Sequence, residues 1–256
     1  MDFAPLLRGR SVFITGASSG IGAHLARLCA RLGAKVAIAA RRVDALRELE
    51  SELRALGAAD ALALALDVAD ADSVEGVMRA ARLQFGALDV VVNNAGVAPD
   101  GAAIDTPIAR FDQVLDVNLR GAYAVATAAA RVWREDRRGG SLINIASILG
   151  LRQASGVSPY AISKAGVVQM TKVLALEWAR HGVRVNALAP GYIDTPMTSD
   201  FFATDMGKSM IARIPMRRIG KPEDLDGPFL LLATEASAFM TGAIIPVDGG
   251  HLVNSM

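Results

Sequence analysis

The chain is short of cysteine, histidine and net charge, and each shortage excludes something. A lone Cys29 cannot form an intramolecular disulfide. It falls in a helical pattern with Leu25, Leu28 and Leu32, where a thiol packs as a small apolar group. His24, His181 and His251 are scattered without ligand spacing, so no metal site is expected. Lys and Arg number 27 against 26 Asp and Glu, a formal charge of +1. That balance gives no electrostatic case for nucleic acid or an anionic membrane surface. Long apolar runs are missing as well. A membrane span needs about 18 such residues, whereas Ala61–Leu66 is stopped by Asp67. Met1–Arg10 lacks the apolar core of a signal peptide, so the cytoplasm is the expected location. What is abundant is apolar residues, 52% against 21% charged. This excludes intrinsic disorder and assigns the excess to a core and to subunit contacts.

Short aliphatic runs alternate with longer helical patterns. Strands are expected at Ser11–Thr15, Lys35–Ala40, Ala61–Leu66, Leu88–Val92, Ser141–Ala146, Val183–Leu188 and Ala243–Val247. Helices are expected at Ile21–Leu32, Val43–Leu56, Ala71–Phe85, Pro107–Asn118, Gly121–Arg134, Tyr160–Arg180 and Glu223–Thr234. Such alternation means βαβ units, hence an α/β fold with one doubly wound parallel sheet of about seven strands, flanked by helices on both faces. The strands read as apolar on both sides, as such a sheet requires. No linker divides the chain, so residues 1–256 are expected to form a single domain. The least regular stretch, about 191–221, is expected to be a substrate loop or lid, with Phe201, Phe202, Met206 and Met210 in it.

The first strand runs into Thr15-Gly16-Ala17-Ser18-Ser19-Gly20-Ile21-Gly22. Glycines at such a strand-to-helix turn let the backbone approach a pyrophosphate, and the helix N-terminus offers unpaired N–H groups. A plain turn with tightly packed glycines is the alternative. Together with Asp67, Asn93-Asn94-Ala95-Gly96, Asn118, Ser147, Tyr160-Ala161-Ile162-Ser163-Lys164, Asn186, Pro190-Gly191 and Asp248-Gly249-Gly250, this turn makes the chain resemble the short-chain dehydrogenase/reductase family over almost its whole length.

The resemblance implies a Rossmann-type sheet, a nicotinamide cofactor and a homotetramer or dimer. Gly16, Ser18, Ser19, Gly20, Ile21 and Gly22 would hold the pyrophosphate. Asp67 and Val68 would meet the adenine, Asn94, Ala95 and Gly96 would line the cofactor, and Pro190, Gly191, Ile193 and Thr195 would lie against the nicotinamide. The second strand ends Ala39-Ala40-Arg41-Arg42. An acid there pairs with the ribose of NAD and repels a 2′-phosphate. Ala40 stands in its place, and Arg41 and Arg42 follow. Guanidinium groups bind phosphate and stack on adenine, so NADP(H) is favoured, with NAD(H) possible. Arginines that merely solvate a loop are the alternative.

Tyr160 and Lys164 are four apart on an expected helix and share a face. A nearby ammonium and the cationic oxidised nicotinamide would lower the tyrosine's pKa, making Tyr160 a general acid/base. Lys164 would also hold the nicotinamide ribose. Ser147 ends the fifth strand and would stabilise charge on the substrate oxygen. Asn118 would complete a tetrad by holding a relay water. A surface Tyr–Lys pair, a turn cap and an exposed helical Asn are the respective alternatives. The implied reaction is hydride transfer between NAD(P)(H) and a small carbonyl or secondary alcohol. In pattern the chain is similar to 3-oxoacyl-[acyl-carrier-protein] reductases and to sugar-acid or polyol dehydrogenases. Acyl carrier protein docking would need basic groups such as Arg137, Arg138 or Arg180, and a solvated loop is the better explanation of the first two. Arg152 and Gln153 are close enough to Ser147 in sequence to shape a pocket. A non-catalytic NADP-binding regulator is the reading from another class.

Overall fold

Seven strands, β1 (Ser11–Thr15), β2 (Lys35–Ala40), β3 (Asp60–Ala65), β4 (Val90–Asn93), β5 (Gly140–Ile145), β6 (Val183–Pro190) and β7 (Ile244–Val247), pair in parallel in the order β3-β2-β1-β4-β5-β6-β7. The computed structural model describes residues 4–196, 202 and 204–254. Parallel neighbours require crossovers, and helices supply them: α1 (Ala4–Leu7) precedes β1, followed by α2 (Gly20–Arg31), α3 (Val43–Ala55), α4 (Ala71–Phe85), α5 (Ile108–Leu115), α6 (Ala122–Glu135), α7 (Ser158–Trp178), α8 (Asp205–Ile211) and α9 (Asp226–Ala233).

The two-residue period of β1 divides the core. Val12 and Ile14 join Leu25, Leu46, Leu53 and Phe229 on one face. Phe13 joins Met78, Trp133, Leu142 and Leu174 on the other. Cys29 lies fully buried in the first group, and burial pushes its thiol up, as an inert packing residue requires. Two-sided burial holds for the five inner strands but not for the edges. β3 and β7 each have a neighbour on one side only and remain partly exposed.

The helix expected at Pro107–Asn118 does not end there. α5 passes into a π-helical stretch, Asp116–Gly121, which continues without a break into α6. Two expected helices are one run with a widened turn in it, and such turns cluster at functional sites. The last helix, α9, is likewise preceded by a 3₁₀ turn, Pro222–Leu225.

In the segment 191–221, the two ends are pinned together. Gly220 N–H donates to the Tyr192 carbonyl at 2.8 Å, and Asp194 N–H donates to the Gly220 carbonyl at 2.8 Å. Phe202 is buried and Met210 half-buried, while Phe201 and the side chain of Met206 fall outside the described residues. Among the described residues no helix is long and apolar enough to cross a membrane, and no acid, His and Cys cluster could hold a metal.

The strand order reverses between β1 and β4. At such a switch point the loops leaving neighbouring carboxyl ends diverge and open a crevice. Thr15, Asn93, Ile145 and Pro190 all end their strands along that edge.

Candidate active site

A cleft of about 450 Å³ follows the carboxyl edge of the sheet. Every site residue expected from the sequence lines it except Gly22 and Asn118, which lie directly behind its wall. Gly16 needs its positive φ of 64°, and a Cβ there would sit 2.7 Å from the Ala95 Cα. At Gly22 a Cβ would meet the Asn94 amide nitrogen at 2.5 Å and the Gly16 carbonyl at 2.7 Å. The turn is tied to β4 by Thr15, whose hydroxyl accepts from the N–H groups of Asn94 and Ala95 at 3.0 and 3.1 Å. Asn94 Nδ2 donates in return to the Thr15 and Gly16 carbonyls.

At the outer end, Ser19 occupies the N-cap position of α2 without a side-chain cap bond, so the helix N-terminus faces the cleft uncapped by it. Arg42 reaches over the same turn. Its Nη2 donates to Ser18 Oγ at 3.0 Å and Ser19 Oγ at 2.6 Å. This guanidinium therefore lies over the glycine turn, and among the described residues it has no carboxylate partner. Arg41 is exposed beside it. Asp67 is not the cap of α4. Asp70 does that, accepting from Asp72 N–H at 3.0 Å and Ser73 N–H at 3.3 Å.

At the inner end, Ser147 and Tyr160 both line the cleft, and the Ser147 hydroxyl lies near enough to Tyr160 to work against the rise in its pKa. Ser147 Oγ also accepts from Leu149 N–H at 3.1 Å, so it caps a 3₁₀ turn and faces the cleft at once. Lys164 is 5% exposed and donates from Nζ to the Ile145 carbonyl at 2.8 Å. Burial lowers its pKa to about 8. Its ammonium lies 5.6 Å from the centroid of the Tyr160 ring. The expected lowering of the tyrosine pKa does not come from the protein alone. Burial raises it, the nearby Ser147 hydroxyl opposes that, and Tyr192 adds to the rise. The bare site thus holds Tyr160 as the protonated phenol.

Asn118 is 1% exposed, and its amide is fully engaged. Oδ1 accepts from Val97 N–H at 2.8 Å, while Nδ2 donates to the Val97 carbonyl at 2.9 Å and to Ser163 Oγ at 3.0 Å. Ser163 Oγ in turn donates to the Tyr160 carbonyl at 2.7 Å. Both amide hydrogens are taken, so the side chain does not hold a relay water by donating to it. Val97, Ser163 and Thr15 carry roles that the sequence reading missed. Ser163 sits three residues after Tyr160, a spacing that puts both on one helical turn, and this was its only signal.

The basic groups considered for partner docking lie elsewhere. Arg138 pairs with Asp89 at 2.8 Å, ahead of β5 and so at the amino edge, away from the cleft. Gln153 is exposed, but Arg152 turns inward and donates to the His251 carbonyl at 2.6 Å.

A family profile described as enoyl-(acyl carrier protein) reductase matches residues 16–251. An L-rhamnose 1-dehydrogenase (NAD(P)(+)) of Azotobacter vinelandii is 39% identical over 97% of this chain and 99% of its own. A 3-oxoacyl-[acyl-carrier-protein] reductase of Thermotoga maritima is 38% identical over 96% of this chain and 99% of its own. A solved structure from Beutenbergia cavernae, a candidate NAD(P)-dependent gluconate 5-dehydrogenase with bound NADP, is 37% identical and superposes with a TM-score of 0.91, covering 97% of this chain and 98% of its own. The match spans the glycine turn, the Ser147–Tyr160–Lys164 cluster and the sheet that carries them: the chain belongs to the short-chain dehydrogenase/reductase family and is an NAD(P)-dependent oxidoreductase.

Proposed function

We propose that this enzyme interconverts a small carbonyl compound and its secondary alcohol, with NADP(H) preferred over NAD(H). The observation that carries the chemistry is the convergence of Ser147, Tyr160 and a buried Lys164, 5.6 Å from the Tyr160 ring, in the cleft at the switch point. The residues present fit a dinucleotide. Gly16 and Gly22 let the turn pack against the start of the Asn94–Ala95 segment where a Cβ would clash, α2 presents its N-terminus to the cleft, and Arg42 holds its guanidinium over the turn. When bound, the cofactor supplies or accepts the hydride.

The chain does the rest. Ser147 donates a hydrogen bond to the substrate oxygen and stabilises the charge that grows there. Tyr160, held as the phenol, gives its proton to that oxygen in reduction and recovers it in oxidation. Lys164 binds the nicotinamide ribose and, as a cation, favours the phenolate that Tyr160 becomes after donation. Asn118 is a positioning residue that clamps Val97 and Ser163 around the Tyr160–Lys164 turn. Any relay runs through its oxygen or the π-helical backbone, since both amide hydrogens are engaged. The 191–221 segment serves as the lid, and the subunits assemble as a homotetramer or dimer. A 2′-phosphate suits Arg42 and the absence of an acid at Ala40.

The relatives divide between a sugar and a carrier-bound acyl chain. Arg138's engagement at the far edge of the sheet speaks against the carrier reading. The test is turnover of NADPH and NADP, then NADH and NAD, against a panel of carbonyls and alcohols that includes 3-oxoacyl thioesters and sugar acids. Reduction with NADPH that is lost in Tyr160→Phe supports the proposal. Tight NADPH binding with no turnover of any member makes the protein a cofactor-binding regulator instead. A preference for NAD(H) above about tenfold overturns the cofactor choice.

A further inference from the structure

Beside the reacting centre lies a second polar cluster that the tetrad does not use. Tyr192 stands between the cleft-lining residues Gly191 and Ile193 and is close enough to Tyr160 to raise its pKa. The Tyr192 ring packs on Phe202 at 5.3 Å and on the imidazole of His251 at 5.4 Å. His251 is 8% exposed, and its Nδ1 is buried without a partner among the described residues. An unpartnered buried polar atom in a native fold asks for an occupant. Arg152 closes the cluster. It follows Ser147 by five residues, and its Nη1 donates to the His251 carbonyl.

No acid answers Arg152 among the described residues. The carboxylate of Asp248, which is also near His251, accepts instead from the N–H groups of Gly250 and Leu252 at 2.9 and 2.7 Å. With Nη1 engaged, the Nε–Nη2 edge of the guanidinium is left over. That edge presents two parallel donors at the spacing of a carboxylate's two oxygens. A permanent cation within reach of Tyr192, one residue from the cleft wall, is placed to meet a counter-charge brought by the substrate.

We propose that Arg152, with Tyr192 and His251, is the specificity-determining site for a carboxylate on the substrate, so that the enzyme acts on hydroxy or oxo acids. This rests on the oxidoreductase reading and names its substrate class. The Nε–Nη2 edge of Arg152 takes the carboxylate side-on, while Tyr192 and His251 Nδ1 meet its oxygens or a neighbouring hydroxyl. Phe202 covers the apolar side.

The experiment pairs each member of a hydroxy-acid panel with its primary amide, in wild type, Arg152→Gln and Arg152→Lys. The quantity read is the ratio of kcat/KM for acid over amide. Wild type is expected to favour at least one acid by 100-fold or more, mainly through KM. Arg152→Gln brings that ratio to near 1, and Arg152→Lys restores part of it. Equilibrium binding of cyclohexanecarboxylate and of cyclohexanecarboxamide to the protein with NADP gives a second readout that needs no turnover. The acid binds wild type and not Arg152→Gln, and the amide binds neither with preference. Thermal melting shows whether the lost bond to His251 has unfolded the variant, and in that case the wild-type ratio and Arg152→Lys decide. A wild type with no acid preference, such as a neutral polyol enzyme, or a preference that survives in Arg152→Gln, overturns the proposal. If no substrate turns over but the carboxylate still binds through Arg152, the oxidoreductase reading fails and this site stands. Turnover without acid preference is the reverse result.

Discussion

Lys164→Met removes a buried ammonium while keeping most of its volume, and its effect on stability should change sign with pH. Burial takes the Lys164 pKa from 10.5 down to about 8. At about 1.4 kcal/mol per unit, the charged form then costs the fold about 3 kcal/mol below pH 8. The sign follows from proton counts: between about pH 8 and 10.5 the unfolded chain binds more protons than the folded one, so wild-type stability gains a component that rises across that window. Against this stands the Nζ bond to the Ile145 carbonyl, 2.8 Å long. Losing it and leaving the carbonyl unpaired costs about 1–2 kcal/mol. The variant should therefore be about 1–2 kcal/mol more stable than wild type at pH 7 and about as much less stable well above pH 10.5, where the lysine is neutral in both states. Urea unfolding of both proteins, without cofactor, at a series of pH values measures the difference. A difference of one sign and constant size across the series would refute the idea that Lys164 is held charged against its desolvation. The same substitution should abolish turnover, which makes this lysine a case of stability given up for function.

Three further outcomes are expected. Arg42→Ala should weaken NADPH binding by roughly 10- to 100-fold and leave NADH binding within about twofold, as loss of a charge-assisted phosphate contact implies. A fluorescence titration with both cofactors checks it, and equal losses would place Arg42 outside the phosphate site. Gly22→Ala should destabilise by about 1–3 kcal/mol, because its Cβ would meet the Asn94 amide at 2.5 Å and the Gly16 carbonyl at 2.7 Å. Thermal unfolding reads this, and an unchanged melting temperature would mean the turn has slack. Ser163→Ala should lower kcat more than it raises KM, since Ser163 ties Asn118 to the Tyr160 carbonyl without facing the cleft. Steady-state kinetics would show the opposite split if Ser163 shaped substrate binding.

How far the sequence carries the account depends on the range of the interactions. The inner strands and the glycine turn are legible because their signals are local: apolar runs, a helical period and residues that only a tight turn needs. The π-helical stretch is not legible. Leu115, Gly121 and Ala122 all keep ordinary right-handed helical dihedrals, and the partner of Asn118 is Val97, 21 residues away. The partial exposure of β3 and β7 follows from sheet order, which no local run of residues encodes. The rise in the Tyr160 pKa comes from burial by distant segments, which the Tyr–Lys spacing does not encode, while the expected lowering also counted on the oxidised nicotinamide. Arg152 and His251 lie 99 residues apart, and only the fold brings them together.

The claim that this site performs proton-coupled hydride transfer through Tyr160 meets its most direct test in nicotinamide absorbance followed during carbonyl reduction by wild type and Tyr160→Phe. Wild type should consume NADPH. The variant should lose roughly 100- to 10,000-fold in kcat, the range of general acid catalysis, while still binding NADPH. A variant that retains wild-type turnover would contradict the assignment of Tyr160 as the acid.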